Sequence, residues 1–198
     1  MRIGIVGGTG GFGQGLAERL RRAGADVVLG SRTPHDEFVS NAEACRFCQM
    51  VFLSVPPQGV GAMCTQLAGD LAGRILVSVA SPVVFEDGFP AALPMKISLA
   101  EEAQVAAPEC HVVAGFHTVS AKLLARVEEP LREDVLICGD NEDAKRTVAE
   151  VAESIVEGKA VDAGRLQVAR WLEPVTAVLL NVNRNYKVNA GVRITGLE

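Results

Sequence analysis

The chain has 198 residues, of which 48% are hydrophobic, 5% aromatic and 22% charged, and its net charge is −5. That balance excludes a disordered chain and points away from a nucleic-acid partner, which asks for a basic surface excess. Apolar runs are broken by Gly, Pro or charge well before membrane-spanning length, and Met1 leads straight into a strand rather than a secretion leader, so no membrane partner and a cytoplasmic location are expected.

Met1 to Val6 is an apolar run that reads as a buried strand, and residues 14–23 have helical spacing. Between them lies Gly7-Gly8-Thr9-Gly10-Gly11-Phe12-Gly13, in which Gly8, Gly10 and Gly13 spell G-x-G-x-x-G. In a strand–turn–helix setting these glycines permit the tight turn, the approach of a pyrophosphate and the close packing of helix on strand, while the helix N-terminus offers free N–H groups to phosphates. A second strand, residues 26–30, follows at the right interval.

Ser31-Arg32-Thr33 comes next, where dinucleotide folds select their cofactor. An NAD-specific site places Asp or Glu here for the ribose 2′-hydroxyl. The hydroxyls and guanidinium present instead suit a 2′-phosphate, so NADP is expected with Ser31 and Arg32 as selectors. Asp36 and Glu37 count against a wider basic pocket.

Residues 41–48 read as a short helix and 50–55 as a buried parallel strand that stops at Pro56-Pro57. Val55 and Pro56 are expected against the cofactor's ribose and nicotinamide side. Cys45 and Cys48 form C-x-x-C, but Cys64, Cys110 and Cys138 supply no second pair, so no metal is expected and the thiols read as reduced and buried.

A helix over 59–71, a strand over 74–80, a loop over 83–94 lying across the crevice and a helix over 98–107 follow. The strand 111–116 delivers His117-Thr118-Val119-Ser120 to the crevice. His117 either polarises, donates or shuttles a proton there, or is a hydrogen-bonded packing residue. Residues 134–139 form a strand, Asp140-Asn141-Glu142-Asp143 opens a helix to about 157, and 159–164 is a last short strand. Residues 167–186 are the longest helix, with more apolar surface than one sheet face needs, which implies a homodimer through this C-terminal helix. The expected fold class is therefore α/β, a Rossmann-like doubly wound, mostly parallel sheet with a helical C-terminal segment. Residues 1–164 make the NADP-binding domain, and 165–198 a helical region for dimerisation and the substrate side.

Taken together, GGTGGFG, GSRT, LSVPP, GFHTVSA, DVLICGDNEDAK and VDAGRLQVARWLEPVTAVLLNV resemble, in order and spacing, the NADPH-dependent oxidoreductases that use the deazaflavin coenzyme F420. The resemblance implies hydride transfer between NADP(H) and coenzyme F420 as co-substrate, with little acid–base help. It places Thr9, Ser31 and Arg32 by the 2′-phosphate, the backbone of Gly10, Gly11, Phe12 and Gly13 on the pyrophosphate, and Val55 and Pro56 near the reacting ring. His117, Thr118 and Val119 would line the place where the two rings stack, His117 in a positioning role.

The family has a longer segment after the second strand, with an additional helix and strand, so one strand is expected to be missing here. It also has an aromatic residue where Pro57 stands and a proline where Ser120 stands. These departures keep other readings open: an NADPH reductase of an imine, a flavin or a metal chelate, or a non-catalytic NADP-binding sensor.

Overall fold

A computed structural model describes residues 1–197. The elements in chain order are β1 (Arg2–Val6), α1 (Gly11–Arg22), β2 (Asp26–Ser31), β3 (Phe38–Ser40), α2 (Asn41–Arg46), β4 (Met50–Leu53), α3 (Val60–Leu71), β5 (Ile75–Ser78), β6 (Val83–Glu86), β7 (Phe89–Ala92), α4 (Leu99–Ala106), β8 (His111–Gly115), α5 (Ala121–Ala125), β9 (Val135–Gly139), α6 (Glu142–Glu153), β10 (Ala160–Asp162) and α7 (Ala169–Tyr186).

Eight of the described strands form one sheet in the order β10-β9-β8-β5-β4-β1-β2-β3, parallel throughout except where β9 runs against β8. The period of two along each strand divides the core. Ile3, Ile5, Met50 and Phe52 face a cluster that includes Leu16 and Leu20 of α1 and Val148 of α6, whereas Val6, Val51 and Leu53 face Cys64 and Leu67 of α3 and Leu99 of α4. Both faces are thus covered by helices, as a parallel sheet requires. The chain leaves β1 toward β2 and β3 and then returns to β4 on β1's other side, so the switch point lies between β1 and β4.

Two sequence expectations are corrected. No strand is lost after Arg32, because β3 pairs with the end of β2. Asp36, at φ 47°, turns the chain back so sharply that His35 and Phe38 exchange backbone hydrogen bonds of 2.8 and 3.1 Å, and no crossover helix is needed. Residues 83–94 are also not a loop: β6 and β7 form an antiparallel hairpin around Asp87 (φ 49°) and Gly88 (φ 79°). Two left-handed residues match the twist of a two-residue hairpin.

Candidate functional site

The carboxyl ends of β2, β1, β4, β5 and β8 open on one edge of the sheet, and each expected site residue lies at one of them. Gly7, at φ 75°, makes the turn after β1; a Cβ there would stand 2.2 Å from the Ser54 carbonyl oxygen beyond β4. Gly8 N–H bonds the Gly30 carbonyl at 3.0 Å, tying the turn to β2. A Cβ on Gly13 would press on Gly8 Cα at 3.1 Å, so the third glycine lets α1 sit on its own entry loop.

Gly10 and Gly11 differ, because a Cβ on either faces open space or a single atom at 3.6 Å. Helices α2, α4, α5 and α6 each begin on a side-chain cap, from Ser40, Ser98, Ser120 and Asn141 respectively. Helices α3 and α7 have no side-chain cap but each continues out of a 3-10 turn, whereas α1 begins directly on Gly10 with no side-chain cap and no acid in its first turn. Its first N–H groups and dipole are therefore left for an exogenous anion, and a dinucleotide pyrophosphate fits them.

At the end of β2, Ser31 is buried and its hydroxyl is engaged with Thr33, donating to the carbonyl at 3.0 Å and accepting from the N–H at 3.2 Å. Arg32 is exposed beside it. His35 stacks on Phe38 with ring centroids 4.9 Å apart. No motif marks Asn41, whose buried Oδ1 accepts from Gly7 N–H at 3.4 Å and so braces the glycine turn. Val55 touches the same turn, its Cγ1 lying 3.1 Å from where a Gly7 Cβ would be, while Pro56 is exposed and opens a short 3-10 turn.

His117 lies beyond β8, past Phe116, a buried phenylalanine at φ 67° that packs edge-on against Phe52 at 5.4 Å. A left-handed bulky residue is costly, and here the strain turns the chain so that His117, Thr118 and Val119 line the crevice. His117 Nδ1 is 3.4 Å from Ser81 Oγ, which is 2.8 Å from Thr176 Oγ1, and Thr176 donates to the His117 carbonyl at 2.8 Å. Each hydroxyl has one proton, so Ser81 must donate to Thr176, and all three bonds close only if His117 carries its proton on Nδ1. Nε2 is then a bare acceptor, buried and without a partner among the described residues. Burial also pulls the imidazole pKa down to about 4, which removes His117 as a proton shuttle near neutrality. Neither Ser81 nor Thr176 stood out in the sequence, since their partners are distant in it.

The crevice has a volume of about 780 Å³, within the range of small-molecule sites. Phe12 of α1, Val119, Leu179 and Leu180 supply apolar walls, and the hairpin contributes Phe85 and Pro90. Arg184 of α7 holds that hairpin, its guanidinium 3.7 Å over the Phe89 ring and its Nη1 2.6 Å from the Gly88 carbonyl oxygen. Lys122, Arg126, Arg184 and Lys187 stand among the lining residues, and no carboxylate is among them. The cavity is electropositive although the protein is acidic.

Other buried polar groups have structural partners. Glu173 of α7 accepts from Leu99 and Ala100 N–H at 2.9 Å each, and burial raises its carboxyl pKa to about 7. Arg19 donates to the carbonyls of Leu123, Leu124, Arg126 and Glu129. The cysteines are free and buried, and burial pushes Cys45, Cys64 and Cys138 to about 12 and Cys48 and Cys110 to about 11, so Cys45-Cys48 is a packing pair rather than a reactive one. Among the described residues no cluster of His, Cys, Asp and Glu is arranged to hold a metal, and no helix is long and apolar enough to cross a membrane.

The family model described as "NADP oxidoreductase coenzyme F420-dependent" matches residues 2–82. The chain is 32% identical to an F420-dependent NADP reductase of Methanocaldococcus jannaschii, over all of both proteins. It belongs to this family. The match to the family model runs from β1 to Pro82 and so includes the glycine turn and the strands β1 to β5. A solved structure from Arthrobacter sp. fb24, provisionally named an F420-dependent NADP-reductase, superposes with a TM-score of 0.86 at 25% identity, covering 98% of this chain and 99% of that one. The chain is also 34% identical to the metalloreductase STEAP3 of Rattus norvegicus, over 90% of this chain and 37% of that protein.

Proposed function

We propose that this member of the family transfers a hydride between NADP(H) and coenzyme F420, with the dinucleotide on the glycine turn and the acceptor in the crevice beside His117. The observation that carries the reading is the uncapped start of α1 at Gly10, opening through Phe12 into a cavity that contains a neutral histidine with a free Nε2. The two coenzymes supply the hydride chemistry, donor and acceptor carbons being nicotinamide C4 and deazaflavin C5.

The chain's own part is to bind and orient. The N–H groups of Gly11, Phe12 and Gly13 take the pyrophosphate, while Thr9 and Arg32, with Ser31 shaping their turn, take the 2′-phosphate. Val55 and Pro56 hold the nicotinamide side. His117 Nε2 accepts one hydrogen bond from an amide or ring N–H of a bound ring, and its fixed tautomer makes it an orienting group throughout the neutral range. Val119, Leu179 and Leu180 exclude water from the face where the rings meet, so rate enhancement rests on orientation rather than on proton transfer.

Residues 165–198 serve the acceptor side and dimerisation. Trp171 (66% exposed) and Val178 (60% exposed) lie two turns apart on the outer face of α7, a stripe suited to a second copy. Mixing the protein and NADPH with oxidised F420 and following the deazaflavin absorbance tests the activity, and no change at high enzyme concentration overturns it. The similarity to STEAP3 favours one second reading, a metal chelate as acceptor, tested in the same assay with a ferric chelate.

A further inference from the structure

The segment that follows α7 has no regular secondary structure, yet it is held at both ends. At its start Lys187 takes φ 55° and ends the helix, and Ala190 N–H donates to Asn183 Oδ1 of α7 at 2.5 Å. Further on, Asp134, at the start of β9, grips the chain twice: its N–H donates to the Val192 carbonyl at 2.7 Å, and its Oδ2 accepts from Ile194 N–H at 2.7 Å. The same residue is 3% exposed. Its Oδ1 accepts from Lys159 N–H at 2.9 Å, and these backbone donors, helped by the charges of Arg193 and Lys159, hold its carboxyl below the usual range against the opposing effect of burial.

Asp134 also faces the crevice through its main chain, since its carbonyl accepts from Thr118 Oγ1 at 3.3 Å. At and just before the first anchor, Val188, Asn189 and Ala190 line the same crevice as His117 and Thr118. The fit of the strap against the residues that lead into β9 depends on Gly191, where a Cβ would stand 2.6 Å from Glu133 Cβ. We infer that residues 187–190 form a fixed wall of the acceptor half of the crevice and that Asp134, by holding residues 192–194, is the positioning residue that sets it, so that acceptor affinity, and not nucleotide affinity, depends on this clasp. This rests on the crevice being the acceptor's half-site, as proposed above.

A carboxylate gripping backbone N–H groups gives charge-assisted bonds, and one such bond is enough to decide where a short strap lies. The cleanest variant is Ile194→Pro, which removes the N–H that Asp134 Oδ2 accepts while leaving Asp134, β9 and the crevice side chains untouched. Gly191→Ala is the second, because it lifts the strap from Glu133 without altering any hydrogen-bonding group. Three quantities are read on the full chain: amide exchange of a peptide covering 187–194, the Kd for NADPH, and the KM for F420.

The expected result is exchange and acceptor KM both raised about tenfold in either variant, with kcat retained and NADPH Kd within about twofold. Unchanged exchange overturns the clasp. Faster exchange with unchanged KM overturns the wall, and parallel loss of NADPH affinity shows a general loosening instead. If the unsubstituted protein reduces no F420, the functional reading alone fails; exchange still decides the clasp, and the acceptor measurement is made with a ferric chelate or FMN.

Discussion

Ser81 Oγ and Thr176 Oγ1 lie 2.8 Å apart, and this contact joins the end of β5 to α7 beside His117. Because the threonine donates to the His117 carbonyl, its oxygen must accept from Ser81, and this fixes the ring's tautomer. Thr176→Val removes both bonds at nearly constant volume. Turnover is expected to fall about tenfold, the size of one misdirected hydrogen bond, with NADPH affinity changed less than about threefold. Imidazole nitrogen shifts should report Nδ1–H in the parent protein and a mixture in the variant.

The low pKa of His117 makes a stability prediction. Its folded value, about 4, lies below the ordinary 6.5, so the unfolded chain takes up a proton first as pH falls. Stability should be lost between about pH 6.5 and 4, by on the order of 2–3 kcal/mol, and His117→Gln should flatten that limb in urea titrations. Glu173 acts with the opposite sign: its carboxyl is raised to about 7, so its contribution falls as pH rises from about 4.5 through 7. Between pH 7 and 8 His117 stays neutral while Glu173 completes its ionisation, so kcat should show no inflection from His117.

The glycines of the turn should separate into two classes. Gly13→Ala forces a Cβ to 3.1 Å from Gly8 Cα and is expected to destabilise the protein by about 1–3 kcal/mol. Gly10→Ala meets only one atom, at 3.6 Å, and should leave the unfolding midpoint nearly unchanged while weakening NADPH at least tenfold, because its methyl occupies the phosphate's approach. Equal effects on stability would remove the distinction.

Arg32→Glu should weaken NADPH by about 10- to 100-fold and NADH by less than threefold, since only the former presents a 2′-phosphate to the new carboxylate. Fluorescence titration with both cofactors decides it. Equal loss of the two would move the 2′-phosphate elsewhere.

Trp171→Glu puts a charge on the outer stripe of α7 without touching the core, as the side chain is largely exposed. If α7 pairs with a second copy, sedimentation should show a monomer for the variant and a dimer for the parent, with unfolding changed by less than about 1 kcal/mol per chain when both are measured as monomers.

The parallel sheet and its glycine turn were legible because they rest on local signals: β-branched runs, glycine punctuation and helical spacing, all within twenty residues of one another. The hairpin was legible in principle. Asp87-Gly88 is a strong two-residue turn signal, but the prolines at 90 and 94 drew the stretch toward a loop, and Pro90 proved compatible with a short two-stranded ribbon. β3 was hidden by its length of three residues, too short for any period, and by the left-handed turn at Asp36. At the site, the glycines and His117 announced themselves, whereas Asn41, Ser81, Thr176 and Asp134 act through partners 34 to 95 residues away or through their main chain. Such residues carry no motif, and only the fold brings them together.

The glycine turn takes its braces from Gly30, Asn41 and Ser54, all early in the chain, while the facing side of the crevice waits for α7 and for Ile194. On a ribosome adding roughly 5–20 residues per second, the two halves are separated by on the order of ten seconds. A nucleotide held on that turn as proposed would meet it before the place for its reaction partner has been made, and would act first as a folding ligand and only afterwards as a reactant.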